Sequence, residues 1–253
     1  MNKTYPTDLT DTQWNTIVQF LDDNRKRKYS LRCILNAIFY LNKTGCHWRM
    51  LPKDLPGWKL VYYYFCKWKQ DGTLEELVEF LRDEVRKSQG RDTSPSLAII
   101  DSQSVKMSRQ SNIEKGIDGG KNVKGRKRHM IVDSMGLVLA VVVHAANHHD
   151  SKLAFRVISE LKYRFPRLSK IVADAGYRGE LSDSIKACFG WTLQVVMRKE
   201  SKKFEVLPKR WIVERTFSWF ESYRRLAKDF EVLPDTSKAM IQLAFIKIML
   251  NKF

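Results

Sequence analysis

Long apolar runs and paired cysteines are both missing from this sequence, and each absence excludes a class of protein. The cysteines Cys33, Cys46, Cys66 and Cys188 form no CxxC pair and have no histidine at zinc-finger spacing, so neither a disulfide framework nor a structural zinc site is indicated. No stretch reaches the roughly 18 uninterrupted apolar residues of a membrane-spanning helix, and the first residues lack the apolar core of a signal peptide. We therefore expect a cytoplasmic protein with reduced thiols.

Acidic residues are few compared with basic ones. Lys and Arg number 45 against 28 Asp and Glu, which gives a formal net charge of +17 over 253 residues. A charge of this size repels itself unless the usual partner is a polyanion, and nucleic acid is the first candidate. A chain of this length can bury one substantial core and carry a small second domain beside it.

The first part of the chain has the periodicity of helices. A capping-box pattern at Thr10 precedes apolar residues spaced i, i+3, i+4 and i+7, and Ser30 is typical of the start of a second helix. The segment WKLVYYYFCKW predicts a third helix, and a further capping-box pattern at Thr73 predicts a fourth. We predict a small helical domain over residues 1–88.

The third predicted helix is the better candidate in this domain for contacting DNA. The tight turn around Asp71 and Gly72 resembles that of a helix-turn-helix, but the fourth helix carries glutamates that would lie beside phosphates. The third helix instead carries Lys59, Lys67 and Lys69, with Tyr62 and Tyr63. An interpretation in which its aromatic residues belong to the core stays equally open.

A polar segment with Gly and Pro, KSQGRDTSPS, separates the helical region from the rest of the chain. The order beyond it is three strands, a helix, a strand, a helix, a strand and two helical stretches, and the strands include LAIID, RHMIV and KIVAD. This order implies a mixed sheet, antiparallel at first and parallel after the crossovers, with helices on its faces. It is the order of a ribonuclease H-like α/β fold, which we predict for residues 89–253.

Three acids in this second region are candidate metal ligands. Asp101 ends the apolar run LAII and Asp174 ends KIVA, and ligands of open α/β sheets gather outside such strand ends. Neighbouring carboxylates repel one another unless a divalent cation such as Mg²⁺ neutralises them. Glu214, four residues after Arg210 on an amphipathic helix, is the candidate third acid. Two ordinary alternatives stay open: a strand-end Asp is commonly a turn or cap residue, and a Glu at this spacing from an Arg commonly forms a surface ion pair.

A competing metal site is the run Asn147-His148-His149-Asp150. His and Asp bind transition metals, but adjacent residues rarely point at one ion. We interpret Asp150 instead as the cap of the helix that follows, and Asp133 as a hairpin turn residue.

Basic residues flank the candidate acids in two runs. One run comprises Lys121, Lys124, Arg126, Lys127 and Arg128, and the other Lys199, Lys202, Lys203, Lys209 and Arg210. Charge runs are commonly solvated faces, but two of them beside a site for phosphate chemistry predict a DNA channel that positions the duplex without reading it. The predicted DNA contacts are Lys106, Lys124, Arg126, Lys127, Arg128, Arg178, Arg210, Arg215, Arg224 and Arg225.

Several segments in order resemble the bacterial insertion-sequence transposases of the DDE superfamily, in the group named after insertion sequence five. They are IIDSQSVK, KGRKRHMIVDSMG, ADAGYRG and RWIVERTFSWFESYRRLAKDFE, with LTDTQW and GCHWRMLP nearer the N-terminus. The resemblance covers almost the whole chain. It implies that Asp101, Asp174 and Glu214 are the catalytic triad.

One motif of the wider superfamily is matched only in part. It consists of a Tyr, an Arg, the catalytic Glu and a distal Lys, and here Leu207 stands at the Tyr position and Glu221 at the Lys position. Arg224 or Arg225 is then the candidate for the contact that the Lys makes in relatives.

The resemblance also implies the reaction and the partners. Two Mg²⁺ ions about 4 Å apart, with Mn²⁺ as a substitute, serve hydrolysis of a phosphodiester at a transposon end, and the freed 3′-OH attacks target DNA. The implied partners are double-stranded DNA, as terminal inverted repeats bound by the helical domain and as target, and a second copy of the chain, within the bacterial nucleoid. Two alternatives stay open: a ribonuclease H-like nuclease that stops after hydrolysis, and a transposase-derived DNA-binding protein without catalysis.

Overall fold

The contacts within the computed structural model divide the chain into two compact units, neither of them continuous in sequence. The structure describes residues 4–21, 25–109, 113–196 and 209–253. A helical unit comprises residues 1–85, 220–227 and 239–253, and a sheet-containing unit comprises residues 86–219 and 228–238. The division predicted from sequence, a single boundary after residue 88, differs from these contacts because it assigns both C-terminal segments to the second domain.

Helices and strands follow the predicted order closely. The helices are α1 (Asp11–Ile17), α2 (Leu31–Thr44), α3 (Trp58–Gln70), α4 (Thr73–Ser88), α5 (Asp150–Ser159), α6 (Leu181–Phe189), α7 (Trp211–Trp219) and α8 (Pro234–Leu250). The strands are β1 (Leu97–Lys106), β2 (Gly116–Asp118), β3 (Val123–Asp133), β4 (Val138–Ala145), β5 (Lys170–Asp174) and β6 (Thr192–Val196). None of the helices in the described ranges is long and apolar enough to cross a membrane.

Local capping explains where the first helices begin. The Thr10 hydroxyl accepts from the Gln13 N–H at 3.1 Å and Gln13 reaches back to the Thr10 N–H at 3.3 Å, which confirms the predicted capping box. Ser30 caps α2 as predicted. The capping box predicted at Thr73 is wrong, because Thr73 is already helical and the Asp71 carboxylate accepts from its N–H at 3.1 Å.

The helical unit has a core between α2 and the second half of α8. Ile34, Leu35 and Ile38 on α2 are fully buried, as their spacing predicts. The Asn42 side-chain amide donates to the Met240 carbonyl at 2.9 Å. Residues near the C-terminus therefore complete the core of the N-terminal helices.

The second unit is built on a mixed sheet of six strands, in the order β2-β3-β1-β5-β6, with β4 paired to β3. β1 is antiparallel to β3 and parallel to β5, and β5 is parallel to β6. This arrangement confirms the predicted ribonuclease H-like fold. Apolar residues of α5 and α6 join the core on one face of the sheet. The short strand β2 was not predicted, since three residues give no periodicity.

The helix that carries Glu214 is shorter than predicted. The sequence indicated one amphipathic stretch over residues 209–228, whereas α7 ends at Trp219 and short 3₁₀ turns follow at Phe220–Ser222 and Arg224–Leu226. Its inner face, with Val213 and Phe217, is buried.

Candidate active site

Two strands bring Asp101 and Asp174 to the same part of the sheet. Asp174 is the last residue of β5, as predicted. Asp101 lies within β1 and not at its end, because antiparallel pairing with β3 extends β1 as far as Lys106. The parallel pairing of β1 with β5 stops at Ile99, so Asp101 lies just beyond the point where these strands part. Both carboxylates therefore occupy the crevice that open sheets offer to ligands.

The three candidate acids converge on one nitrogen atom, Nη2 of Arg210. This atom lies 3.7 Å from Asp101 Oδ2, 3.8 Å from Asp174 Oδ2 and 3.1 Å from Glu214 Oε1. The Glu214 side chain is 57% exposed and that of Asp101 15%, so the cluster opens to solvent on the side of α7.

Backbone groups orient the two aspartates. The Ser102 N–H donates to Asp101 Oδ1 at 2.7 Å, and the Gly176 N–H donates to Asp174 Oδ1 at 2.8 Å. A Cβ atom on residue 176 would lie 3.0 Å from Asp174 Oδ1, so this close approach favours glycine. With Oδ1 of each aspartate held in this way, both Oδ2 atoms face Arg210.

Contacts of α7 with the turn between β3 and β4 fix the helix that carries Glu214. The Arg215 guanidinium donates to the Met135 carbonyl at 2.9 Å, and the Thr216 hydroxyl donates to the Gly136 carbonyl at 3.0 Å. Arg215 also stacks on the Trp211 ring, 4.7 Å from its centroid. The predicted DNA contact Arg215 is therefore half-buried and helps to attach α7 to the sheet.

Burial raises the pKa of Asp101 to about 6, against the lowering effect of the Ser102 N–H. The nearby charge of Asp174 raises that pKa further, whereas Arg210 and Lys121 lower it. A carboxylate in such surroundings gains free energy from any additional cation placed beside it.

The donor chemistry of this cluster suits a hard divalent cation, since all three side chains offer carboxylate oxygens. As they stand, no three His, Cys, Asp or Glu side chains within the described ranges are grouped closely enough to hold a metal ion. A guanidinium lies among the three acids instead.

The competing metal site at residues 147–150 is not formed. His149 is the N-cap of α5, with its Nδ1 accepting from the Ser151 N–H at 3.3 Å. Asp150 is the first residue of α5, so its predicted role as the cap is wrong. Its carboxylate pairs with Lys127 at 2.9 Å. Asp133 does lie at the hairpin turn, where its carboxylate accepts from the Met135 N–H at 2.8 Å.

Arg126 was predicted to contact DNA, but its side chain is fully buried. Its Nη1 atom pairs with Asp229 at 3.2 Å and donates to the Glu231 carbonyl at 2.9 Å. Its Nη2 atom donates to the carbonyls of Ile113 and Val232, each at 2.6 Å. A guanidinium engaged in this way ties two loops to β3, so the structure gives Arg126 a role in holding the fold together and does not support its predicted contact with DNA.

Three further predicted DNA contacts are also buried. Lys127 pairs with Asp150, and the Arg225 guanidinium donates to the Cys46 carbonyl at 3.3 Å. Arg128 is 1% exposed, and burial lowers its pKa to about 10. Lys127 and Arg128 are buried because both faces of β3 are covered, so a basic run along that strand points inward. Arg225 is buried in the 3₁₀ turn Arg224–Leu226.

The remaining predicted DNA contacts have accessible side chains. Lys106, Lys124, Arg178 and Arg224 are exposed, and Arg210 is half-buried. Lys121, which the sequence placed in the basic run but not among the contacts, donates to the Ser102 carbonyl at 3.3 Å beside Asp101. Lys199, Lys202, Lys203 and Leu207 lie outside the described residues.

Sequence reasoning missed two buried side chains that hold the turn after Asp174 in place. Tyr177, three residues after Asp174, is fully buried, and its hydroxyl lies 2.8 Å from His129 Nε2. Burial lowers the pKa of His129 to about 3, so its ring is neutral. The contact ties the turn after β5 to β3, and the only signal for it in the sequence is that Tyr177 falls within ADAGYRG.

The tyrosines of α3 are exposed and not part of the core. Tyr62 is 44% exposed and Tyr63 60%, whereas Val61, Phe65 and Trp68 fill the buried face of the same helix. The interpretation of these two tyrosines as core residues is therefore wrong. Lys59 and Lys67 are exposed on the same helix.

Comparisons with known proteins identify a family for most of the chain. Residues 92–249, which include all three acids, match a family model described as "Transposase DDE domain", and residues 9–78 match one described as "Putative transposase of IS4/5 family". The chain is 27% identical over 134 residues to "Putative transposase for insertion sequence element IS402" of Burkholderia cepacia, an alignment that covers 50% of this chain. It is 30% identical over 80 residues to "Uncharacterized protein y4sN" of Sinorhizobium fredii, with 30% of this chain covered. The chain spans 64% of the length of each of these relatives.

Proposed function

The chain belongs to the transposase DDE-domain family, and on that premise we propose that it is a DNA transposase. The proposed reaction is metal-dependent phosphodiester hydrolysis at transposon ends, followed by transfer of the freed 3′-OH into target DNA. The observation that carries this proposal is the convergence of Asp101, Asp174 and Glu214 on one cationic nitrogen in the crevice beside β5.

Asp101, Asp174 and Glu214 would hold the divalent ions, which we take to be two Mg²⁺ with Mn²⁺ as a substitute. Bound there, such ions would supply activation of the attacking oxygen and stabilisation of the leaving oxygen. The Ser102 and Gly176 N–H groups keep the two aspartates in position for this task, since each donates to an Oδ1 atom and leaves Oδ2 available.

The exposed basic residues of the sheet-containing unit would bind the DNA backbone. Lys106, Lys121, Lys124 and Arg178 are exposed, and Lys121 lies directly beside Asp101. Contacts of this kind neutralise phosphates and set the register of the duplex, but they carry no sequence information.

The helical unit would bind the terminal inverted repeats through α3. Its exposed side chains Lys59, Tyr62, Tyr63 and Lys67 combine positive charge with flat, partly polar rings, which suits contact with phosphates and sugars. Since two transposon ends have to be brought together, the active assembly would be a homodimer or a larger oligomer. Its DNA substrates would place it in the nucleoid.

A strand-transfer assay tests the proposal. The protein is incubated with Mg²⁺, a target plasmid and labelled DNA that carries the inverted repeats bordering the gene. We expect labelled DNA joined to the plasmid. Cleavage without joining would instead indicate a nuclease that stops after hydrolysis, and binding without cleavage would indicate a DNA-binding protein.

Substitution of the acids tests the site itself. We expect Asp101→Asn and Glu214→Gln to abolish cleavage while DNA affinity, measured by fluorescence anisotropy, changes little. Asp183→Asn, an exposed acid on α6, removes the same charge elsewhere and should leave cleavage unchanged. Cleavage by the Asp101→Asn variant at the unsubstituted rate would refute the assignment.

A further inference from the structure

We propose that Arg210 is an exchangeable counter-ion of the active site: its guanidinium neutralises the three carboxylates while no metal is bound, and a divalent cation displaces it on binding. The inference rests on the proposed function in one respect, the assignment of Asp101, Asp174 and Glu214 as metal ligands. What it adds is that the Arg210 side chain and the metal ion compete for the same carboxylate oxygens.

The geometry puts the guanidinium where the ligand oxygens point. Each aspartate has one oxygen bound by a backbone N–H and the other directed at Arg210 Nη2, at 3.7 Å for Asp101 and 3.8 Å for Asp174. Glu214 Oε1 approaches the same nitrogen to 3.1 Å. A cation that used these three oxygens would therefore have to take the place of Nη2, and two positive groups would repel each other strongly at such a separation.

Arg210 is held there mainly by charge and only weakly by hydrogen bonds. Its contacts with the two aspartates are longer than hydrogen bonds, which leaves the 3.1 Å contact with Glu214 as the short one. Its Nε atom is buried and has no hydrogen-bond partner among the described residues. An unsatisfied buried donor costs free energy, and that cost favours release of the side chain when another cation arrives.

Arg126, in the same fold, is an arginine whose side chain is firmly held, and its contacts differ from those of Arg210. Its Nη atoms donate to three backbone carbonyls and pair with the fully buried Asp229. Within the described ranges, Arg210 has no backbone acceptor of this kind, and the side chains of its partners Asp101, Asp174 and Glu214 are 15%, 31% and 57% exposed. The Arg210 guanidinium thus neutralises the three acids without the backbone hydrogen bonds that hold Arg126 in place.

Calorimetric titration with Mn²⁺, on the full chain without DNA, tests the proposal. We expect Arg210→Gln to bind Mn²⁺ about tenfold more tightly than the unsubstituted protein, because the competing charge is gone. Arg210→Lys, which keeps the charge, should restore most of the competition. Arg178→Gln is the matched control, since it removes an exposed positive charge four residues after Asp174, and it should change the affinity much less. Asp101→Asn should weaken binding.

Thermal unfolding and NMR give readouts that do not depend on turnover. Without metal, Arg210→Gln should unfold at a lower temperature than the unsubstituted protein, and Mn²⁺ should raise its unfolding temperature by more. Should that variant fail to fold, the Arg210 Nε–H signal of the ¹⁵N-labelled unsubstituted protein, assigned by comparison with Arg210→Lys, should shift on addition of Mg²⁺.

The outcomes separate this inference from the proposed function. Equal or weaker Mn²⁺ binding by Arg210→Gln, or an Arg210 signal that stays in place at saturating Mg²⁺, overturns the counter-ion role and leaves the metal site intact. Binding unaffected by Asp101→Asn, or no binding by any of the proteins, overturns the ligand assignment and with it both proposals.

Discussion

Replacement of Arg126 by alanine tests whether the basic run of β3 supports the fold or contacts DNA. The substitution leaves the fully buried Asp229 carboxylate without its cation and removes the donor from the carbonyls of Ile113, Glu231 and Val232. Breaking a buried ion pair by removing one partner costs roughly 3–5 kcal/mol in the free energy of unfolding. For a domain of about 150 to 250 residues, each kcal/mol lowers the unfolding temperature by about 2–4 °C, so we expect a fall of roughly 6–20 °C.

Thermal unfolding followed by circular dichroism measures the effect, and Lys124→Ala is the matched control. Lys124 is exposed and lies two residues before Arg126 in the same run. Its removal should change the free energy of unfolding by no more than about 0.5 kcal/mol. It should weaken DNA binding. It should also lower the slope of log affinity against log salt concentration by about 1, as expected for the loss of one phosphate contact.

The double variant Arg126→Met/Asp229→Leu separates the buried charge from the lost contacts. Replacing both partners with apolar residues of similar volume should recover part of the stability lost in Arg126→Ala, because the Asp229 carboxylate is then no longer left without its ion-pair partner. The reasoning is refuted if Arg126→Ala unfolds at the temperature of the unsubstituted protein and loses affinity for DNA. That result would place Arg126 on the DNA surface, as the sequence predicted.

Four other substitutions test the supports of the site and the proposed DNA surface. Tyr177→Phe removes the hydrogen bond to His129 and should cost about 0.5–1.5 kcal/mol in urea unfolding and slow cleavage; unchanged values for both would contradict its role. Gly176→Ala places a Cβ atom 3.0 Å from the adjacent aspartate oxygen and should reduce cleavage with little loss of stability; full activity would show that the turn can relax. Lys59→Ala and Lys67→Ala should each lower the salt slope for terminal-repeat DNA by about 1 if α3 binds phosphates, and unaltered slopes would exclude that helix.

The sequence predicted the starts of helices and the ends of strands correctly where these depend only on neighbouring residues. Thr10 and Ser30 begin helices because a short polar side chain satisfies the first N–H groups. The run KIVAD is a strand that ends in Asp174. The order of these elements was sufficient to predict a mixed sheet, because few topologies connect them.

Charge runs were a weaker guide than periodicity. The residues Arg126, Lys127 and Arg128 predict an accessible basic patch, but β3 is covered on both faces and their charges are paired or bonded inside the fold. Nothing in the run itself reveals this, because the partners Asp150 and Asp229 are distant in sequence.

The sequence by itself determined the order of the longer helices and strands and the family, and it singled out the three acids as candidates, since these follow from local patterns and motifs. Only the tertiary structure decided that Arg210 lies among those acids, that the tyrosines of α3 face solvent, and that the end of α8 completes the core of the helical unit. Each of these depends on contacts between segments far apart in the chain. Such contacts are set by how whole surfaces pack, and neither spacing nor composition records them.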